Sequence, residues 1–282
     1  MIQEKTKLML GVYDCIFKAI MLDPNNRDYL KEIIHYVTDI PLSDLENIKI
    51  KNTEHLISNK KNKKLRSDII VDIKRLSINI EMNKDYYDGI YQKNDAYLQS
   101  ITSSMYKESE DYLEIKNIIQ INFDNFSYFK NNQEIYKFTY KDSKSNVELP
   151  ENPIKYYIDL EYIYKTCYNK PVVNLSKFER YCLLLRTETK EFADNIAGDD
   201  IVMKKVSEKL NELNSDEVMI GLYDAEKEDE KVRKTQLKGA KNEGIVERNI
   251  EIVKSMLKEN LDINLISKIT CLSIEEINKI GW

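Results

Sequence analysis

Apolar side chains recur every three or four positions in two early stretches of the chain, 13–21 and 29–37. This period is typical of amphipathic helices, so the pattern predicts two helices, the second ending before Pro41. The next segment, 47–52, alternates apolar and polar residues and predicts a short strand.

Strand-like alternation dominates the middle of the chain and is interrupted by one helical stretch. The strand-like segments are 68–75, 76–82, 115–123, 135–140 and 156–164, and the helical one is 84–107. The first two strands are so close in sequence that only a tight hairpin can join them. We therefore predict an α+β or mixed α/β core with a sheet of roughly five or six strands, a usual size.

The C-terminal part reads as mainly helical. The acidic run 224–230 predicts a coil-like hinge before the last helices. Ser273 and Glu276 have the spacing of a capping box, and Cys271 stands where a turn glycine is expected in a small helix-turn-helix. This hairpin could read DNA, but acids at the start of its last helix favour packing or dimer formation. The predicted domains are 1–170, 171–235 and 236–282.

Composition and charge exclude several classes of protein. The 43 Lys and Arg residues and 48 Asp and Glu residues give a net charge of −5, which disfavours indiscriminate coating of nucleic acid. The four cysteines form no CxxC pair, so we expect reduced thiols in a cytoplasmic protein. No stretch predicts a signal peptide or a membrane span. The seven glycines form no nucleotide-binding GxxxxGK motif.

The most informative polar spacing joins Asp68 to Glu81 and Asn83. In strands, alternate side chains share a face, so Asp68 would face one way while Glu81 and Asn83 share a face of the next strand. A hairpin would bring these faces together. Two carboxylates with a polar neighbour suit Mg²⁺ that retains waters for a phosphate substrate. The alternative is that these are the solvent-facing side chains of a half-buried hairpin.

Four short segments carry a resemblance to a known family through their order. They are 14–18, 22–26, 66–71 and 78–83. In this order they resemble the Rpn-type PD-(D/E)XK nucleases, often called transposases. In that family a D-x-x-F-K helix precedes an aspartate strand, and an I-E-M-Q strand follows. The strand 117–123 and the segment 266–277, which is similar to the family ending I-x-x-x-T-G-L-S-x-x-E-I, extend the resemblance over almost the whole chain.

The resemblance implies both a fold and an activity. The fold would be a restriction-endonuclease-like core, a central mixed sheet flanked by helices, with a helical C-terminal extension. The activity would be a metal-dependent DNA endonuclease that promotes recombination or accompanies mobile elements. Asp68 and Glu81 would bind Mg²⁺ or Mn²⁺, and a metal-activated water would hydrolyse the phosphodiester bond.

Two positions depart from the family pattern. Asn83 occupies the lysine or glutamine position of the motif, and an amide lacks the charge with which an ammonium stabilises an oxyanion. Lys93 stands in the region of a family arginine and would contact phosphate without a bidentate fork. The alternative function is therefore a catalytically weakened nuclease-fold protein that acts as a DNA-binding or protein-assembly module.

Other residues are accessory candidates. A basic cluster before the aspartate strand would contact DNA phosphates or form a solvated loop, and it consists of Lys60, Lys61, Lys63, Lys64 and Arg66. Asp14 and Lys18, one helical turn apart, would face the metal site or form an ordinary ion pair. Asp72 is a spare ligand, and Gln120 is a polar inward candidate. Double-strand cutting by a one-site nuclease would favour a homodimer.

Overall fold

A mixed sheet forms the centre of the fold. The computed structural model describes residues 7–51, 68–74, 76–108, 111, 115–149 and 153–280. The six described strands are β1 Lys49–Lys51, β2 Ile69–Ile73, β3 Leu76–Asn83, β4 Asn117–Asp124, β5 Ile135–Phe138 and β6 Ile154–Asp159. They lie in the order β1-β2-β3-β4-β6-β5, with β3, β4 and β6 parallel and the other neighbours antiparallel. The predicted mixed sheet is confirmed.

Helices flank this sheet and continue to the C-terminus. They are α1 Asp14–Met21, α2 Arg27–Thr38, α3 Ile90–Glu108, α4 Leu160–Cys167, α5 Lys177–Leu185, α6 Lys190–Ala197, α7 Ile201–Leu213, α8 Glu217–Lys258, α9 Ile263–Thr270 and α10 Ile274–Ile280. The two early helices and the helical C-terminal extension agree with the sequence prediction. Within the described residues, no helix is both long and apolar enough to cross a membrane.

Two predicted boundaries are wrong, and the local backbone explains both. The helix predicted at 84–107 begins only at Ile90, because Gly89 before it has a φ of 94°, a conformation that suits glycine. The strand predicted at 156–164 ends at Asp159. The carboxylate of Asp159 accepts the backbone N–H of Tyr162 at 2.7 Å and caps α4. One predicted strand is therefore a strand followed directly by a helix.

One face of the sheet is apolar and packs on the main core. Alternate side chains of β2, β3 and β4 are buried there in one cluster with α1, α2 and α5 to α7. Phe17 of α1 meets Phe123 of β4 edge-on, with ring centroids 5.5 Å apart. Tyr29 of α2 donates its hydroxyl to the carbonyl of Tyr181 in α5 at 3.0 Å. Helices predicted to belong to the separate extension 171–235 therefore share the core of the sheet.

The opposite face of the sheet is polar and lies beneath α3. Its polar side chains are almost completely buried, and they are Ser77, Asn79, Glu81, Asn83, Gln120, Asn122 and Asp124. Helix α3 is anchored over them by an apolar cluster that joins Leu98, Ile101 and Met105 to Ile70 and Ile118 of the sheet. The interpretation of these polar residues as solvent-facing is therefore wrong, because a helix covers them.

The chain divides into two compact units, Met1–Tyr223 and Asp224–Trp282. The acidic run 224–230 lies inside α8 and is helical, so the predicted coil is wrong. Basic residues that follow the run explain this, because Lys231 pairs with Glu228 and Lys234 with Glu230 one turn apart on the helix surface.

The second unit has a small core of its own. Val253, Ile266 and Ile277 are buried together there. The predicted capping box is present, since Ser273 Oγ accepts the backbone N–H of Glu276 at 3.2 Å and the Glu276 carboxylate accepts that of Ser273 at 2.8 Å. Cys271, the first residue of the turn between α9 and α10, adopts a φ of 58°, as expected for a position that favours glycine.

The start of α5 is fixed by a second capping box with an unusual additional partner. Glu179 accepts the backbone N–H of Ser176 at 2.5 Å and the thiol of Cys167 at 2.9 Å. Glu134 brings a further carboxylate to this cluster, and the Lys170 ammonium lies 3.3 Å from Glu179. Although burial opposes it, these hydrogen bonds lower the pKa of Glu179 to about 2. The cluster therefore has a clear structural role in joining α4 to α5.

We expect Glu179→Gln to lower the free energy of unfolding at pH 7 by about 1–2 kcal/mol, the usual effect of losing a helix cap. Because the pKa of Glu179 is lower in the folded state, its stabilisation is present above the unfolded pKa and is lost as the pH falls towards 2. Urea unfolding should therefore show a difference between variant and wild type that shrinks from pH 6 to pH 3.

The matched control is Glu208→Gln, which removes the same charge from an exposed position of α7. It should leave the free energy of unfolding within about 0.5 kcal/mol of wild type. An equal loss in both variants, or a Glu179→Gln effect that grows as the pH falls, would contradict the role assigned to the cap.

Candidate metal and active site

The β2–β3 hairpin brings Asp68 and Glu81 to one end of the sheet. Ile69 pairs with Ile80, so Asp68, the residue before β2, lies beside Glu81 on β3. The Asp68 carboxylate accepts the backbone N–H of Met82 at 2.8 Å. In return, the Glu81 carboxylate accepts a hydrogen bond from the backbone of Asp68. The two acids predicted from the sequence are therefore neighbours.

Helix α1 adds two charged side chains to this pair. The Lys18 ammonium lies 2.8 Å from Asp14 Oδ1 and 3.2 Å from Asp68 Oδ1. The ordinary ion pair within the helix is thus present, and the same lysine also reaches the predicted metal aspartate. Burial, followed by repulsion from Asp14, raises the pKa of Asp68, while Lys18 acts in the opposite direction.

Glu81 is the most enclosed acid of the site, with 1% of its surface exposed. The amide of Asn79 donates to Glu81 Oε1 at 3.1 Å. Burial and the charge of Asp68 raise the pKa of Glu81, and Lys93 of α3 opposes them. The same two acids, after burial, raise the pKa of Tyr97 on α3 to about 12. Helix α3 therefore places a cation and a phenol over the carboxylates.

Asn83 lies two residues beyond Glu81 on the same buried face. Its Nδ2 donates to Asp124 Oδ1 at 2.8 Å, and the Tyr91 hydroxyl donates to Asp124 Oδ2 at 3.3 Å. The other amide atom, Asn83 Oδ1, is buried and has no hydrogen-bond partner among the described residues. Burial raises the pKa of Asp124 to about 7, although the hydrogen bonds from Asn83 and Tyr91 lower it.

A row of amides extends the polar face across β4. Gln120 pairs in register with Asn79 and donates to the Asn94 carbonyl and to Asn122 Oδ1, both at 3.2 Å. Several amide atoms of this row are buried without a partner among the described residues, and they are Asn79 Oδ1, Gln120 Oε1 and both polar atoms of the Asn94 side chain. Gln120 therefore faces inward, as predicted, and its hydrogen bonds go to Asn94 and Asn122 and not to the acid pair.

Asp72 shares the strand face of Asp68 but is occupied elsewhere. It lies four residues along the chain, about 13 Å at the usual rise of a strand. Its carboxylate contacts Lys116 at 2.5 Å, Ser77 at 2.8 Å and Lys51 at 3.2 Å. The two lysines balance the charge of Asp72. The structure therefore places this spare candidate ligand in a separate cluster, away from the acid pair.

The predicted DNA contacts divide between described and undescribed residues. The cluster Lys60, Lys61, Lys63, Lys64 and Arg66 lies outside the described residues. Lys93 lies on α3 and interacts electrostatically with both Glu81 and Asp124. Lys84, the residue after β3, packs its ammonium over the Tyr13 ring at 4.0 Å. Lys18 therefore contacts Asp68 directly, and Lys93 acts on Glu81 and Asp124 through its charge.

Sequence reasoning missed Asp124 and Tyr91 as members of the site. The signal for Asp124 was available, because it continues the alternation of Gln120 and Asn122 along β4. Tyr91 lies in the segment 84–107, for which the sequence predicted only a helix. Its hydroxyl contact with Asp124 depends on how α3 crosses the sheet, which no local pattern specifies.

The donor set fits a hard divalent cation. Asp68 and Glu81 supply carboxylate oxygens, and the unpartnered Asn83 Oδ1 lies on the same buried face. Two neighbouring carboxylates out of water repel one another unless a cation or a proton offsets them. Mg²⁺ and Mn²⁺ prefer such oxygen ligands. These residues could therefore hold one of these ions.

Comparison with curated proteins and with solved structures gave no significant match. A family model described as PD-(D/E)XK nuclease family transposase matches residues 12–240. The match covers most of the chain and includes α1, the β2–β3 hairpin and the helix above the acids. The mixed sheet with flanking helices agrees with the fold of such a nuclease. The chain therefore belongs to the PD-(D/E)XK nuclease family transposases.

Proposed function

We propose that this protein is a divalent-metal-dependent DNA endonuclease whose reaction takes place at Asp68 and Glu81. The observation that carries the proposal is the pairing of these two acids at the end of the β2–β3 hairpin, where Glu81 is buried, Asp68 keeps 13% of its side chain exposed, and two lysines bring positive charge. Structural acids are usually paired one to one with a base or exposed to solvent. A buried acid pair in a nuclease family is the arrangement expected of a metal-binding active site.

The side chains around the pair have distinct roles in this proposal. A bound Mg²⁺ or Mn²⁺ would lower the pKa of a coordinated water and offset charge on the phosphate. Lys18 keeps Asp68 in place through its contact at 3.2 Å. Lys93 provides positive charge above Glu81, where it can attract a DNA phosphate. Asn79 orients the Glu81 carboxylate through its hydrogen bond at 3.1 Å.

The DNA substrate and its biological use follow from the same proposal. The net charge of −5 leaves binding to local basic residues, so DNA affinity should fall steeply with salt. The cluster from Lys60 to Arg66 precedes Asp68 in sequence and would add phosphate contacts. A role in recombination or in mobile elements, and a homodimer for double-strand cutting, are the corresponding proposals for the cellular function.

The direct test is nicking of supercoiled plasmid by the purified protein in Mg²⁺, Mn²⁺ or Ca²⁺. We expect cleavage with Mg²⁺ or Mn²⁺ and a loss of at least about 100-fold in Asp68→Ala and Glu81→Ala, since each removes a ligand. Agarose gels that separate supercoiled, nicked and linear plasmid report the rate and show whether one or both strands are cut.

Asp72→Ala is the matched control, because it removes a buried acid from the same strand at a position away from the pair. It should retain most of the nicking activity if the protein remains folded. Cleavage that persists in Glu81→Ala would overturn the assignment of the site. No cleavage with any of the metals, together with DNA binding by the wild type, would favour the alternative of a weakened nuclease that acts as a binding module.

A second prediction concerns stability in the absence of metal. Burial and Asp68 raise the pKa of Glu81 in the folded protein. The free energy of unfolding is therefore highest at low pH, where Glu81 is protonated, and it falls as the pH rises through the folded pKa and the group ionises. In EDTA, Glu81→Gln should therefore raise the melting temperature at pH 8 by at least about 2 °C, with a smaller effect at pH 5. Thermal unfolding followed by circular dichroism measures both.

Mn²⁺ provides the complementary measurement at pH 8. It should raise the melting temperature of the wild type, because a ligand that binds only the folded state stabilises it. The rise should be much smaller for Glu81→Gln and unchanged for the exposed-site variant Glu208→Gln. A Glu81→Gln protein that melts below the wild type at pH 8 in EDTA would contradict the repulsion inferred for the pair.

A further inference from the structure

The side-chain amide of Asn83 is held in one orientation by its neighbours. Its Nδ2 donates to Asp124 Oδ1 at 2.8 Å, and Asp124 Oδ2 accepts the Tyr91 hydroxyl at 3.3 Å. While Asp124 is ionised, its carboxylate only accepts hydrogen bonds, so a flipped amide would place oxygen against oxygen. The observed orientation is the one that Asp124 selects. Asn83 Oδ1 is consequently turned away from Asp124.

This oxygen is buried and still available. Asn83 has 2% of its surface exposed, and Oδ1 has no hydrogen-bond partner among the described residues. A buried carbonyl oxygen without a partner destabilises the folded state unless another group binds it. Asn83 lies on the same face of β3 as Glu81, two positions along the strand. The orphaned oxygen therefore belongs to the residue that follows Glu81 along this face of the strand.

We propose that Asn83 provides a third, neutral oxygen ligand for the divalent cation, and that Asp124 and Tyr91 are positioning residues that hold it in place. The proposal rests on the proposed function, since it concerns the ion bound by Asp68 and Glu81. In it, Asn83 does not imitate the lysine of the family motif. Its amide nitrogen donates to Asp124, so the side chain turns its oxygen, an acceptor, to the rest of the site.

The chemistry of the surroundings favours a neutral ligand at this position. Amide oxygens are ordinary ligands of hard divalent ions. A third carboxylate beside Asp68 and Glu81 would add to the repulsion that already acts between two buried charges. An outer partner that fixes the orientation of a ligand typically changes metal affinity by about 10- to 100-fold when it is removed. Asp124 contacts Asn83 in the way expected of such a partner.

The experiment measures Mn²⁺ affinity from the electron paramagnetic resonance signal of free Mn²⁺, with no DNA present. We expect Asn83→Leu to weaken Mn²⁺ binding by at least about 10-fold and Tyr91→Phe to weaken it less. Asn83→Lys should also weaken binding, because an ammonium repels the ion. If Asn83 replaced a lysine in function, Asn83→Lys would leave Mn²⁺ affinity intact and would increase plasmid nicking, which would overturn the proposal.

A double variant guards against loss of folding. Asn83→Asp combined with Asp124→Asn keeps the total charge and the hydrogen bond between the two strands, while the free oxygen at position 83 becomes a carboxylate. This variant should bind Mn²⁺ at least as tightly as the wild type. The control is Glu208→Gln, which removes an exposed charge from α7 and leaves the polar face of the sheet unchanged. It should leave Mn²⁺ affinity unchanged.

The two proposals fail in different ways. If Glu81→Ala binds Mn²⁺ as tightly as the wild type, the metal site of the proposed function is wrong. If Glu81→Ala loses Mn²⁺ but a folded Asn83→Leu protein keeps wild-type affinity, the acid pair stands and the role of Asn83 is wrong. Weaker binding in both variants, with the double variant still binding, supports both proposals.

Discussion

The desolvation of Asp68 and Glu81 beneath α3 is the constraint on which the site depends. Two like charges removed from water destabilise the fold, and they persist only because other contacts offset them. Here the apolar face of the sheet contributes that stability, through a core in which Phe17 and Phe123 pack together. The sheet thus has an apolar face that stabilises the fold and a polar face that carries the candidate site.

The polar face is also built so that its charges stay few. Around the acid pair, most buried polar groups are amides, including Asn79, Gln120 and Asn122. Amides can orient carboxylates and water without adding charge to a region of low dielectric constant. Their partly unfulfilled hydrogen bonding distinguishes this face from a structural network such as the capping box at Glu179, where each oxygen of the acid has a partner.

Sequence patterns predicted the strands, the hairpin and the acid pair, because period-two alternation fixes which side chains share a face. They could not show that the polar face is buried, since its residues alternate in the way expected of an exposed surface. The cover is α3, whose position depends on contacts of Leu98 and Ile101 with distant strands. For the same reason, the contact of Tyr91 with Asp124 was missed. The acidic run 224–230 was wrongly predicted as coil, because its helix is stabilised by ion pairs between residues three or four positions apart.

Gly89, the residue before α3, is a position at which the start of this helix can be altered. Gly89 has a φ of 94°, yet a Cβ at this position would meet nothing closer than the Gln92 side-chain oxygen at 4.0 Å. A larger residue would therefore fit in space and strain only the backbone, at a cost of about 1 kcal/mol or more. Substitution of Gly89 would therefore change the position of the first turn of α3 and leave the polar side chains of the sheet beneath it unchanged.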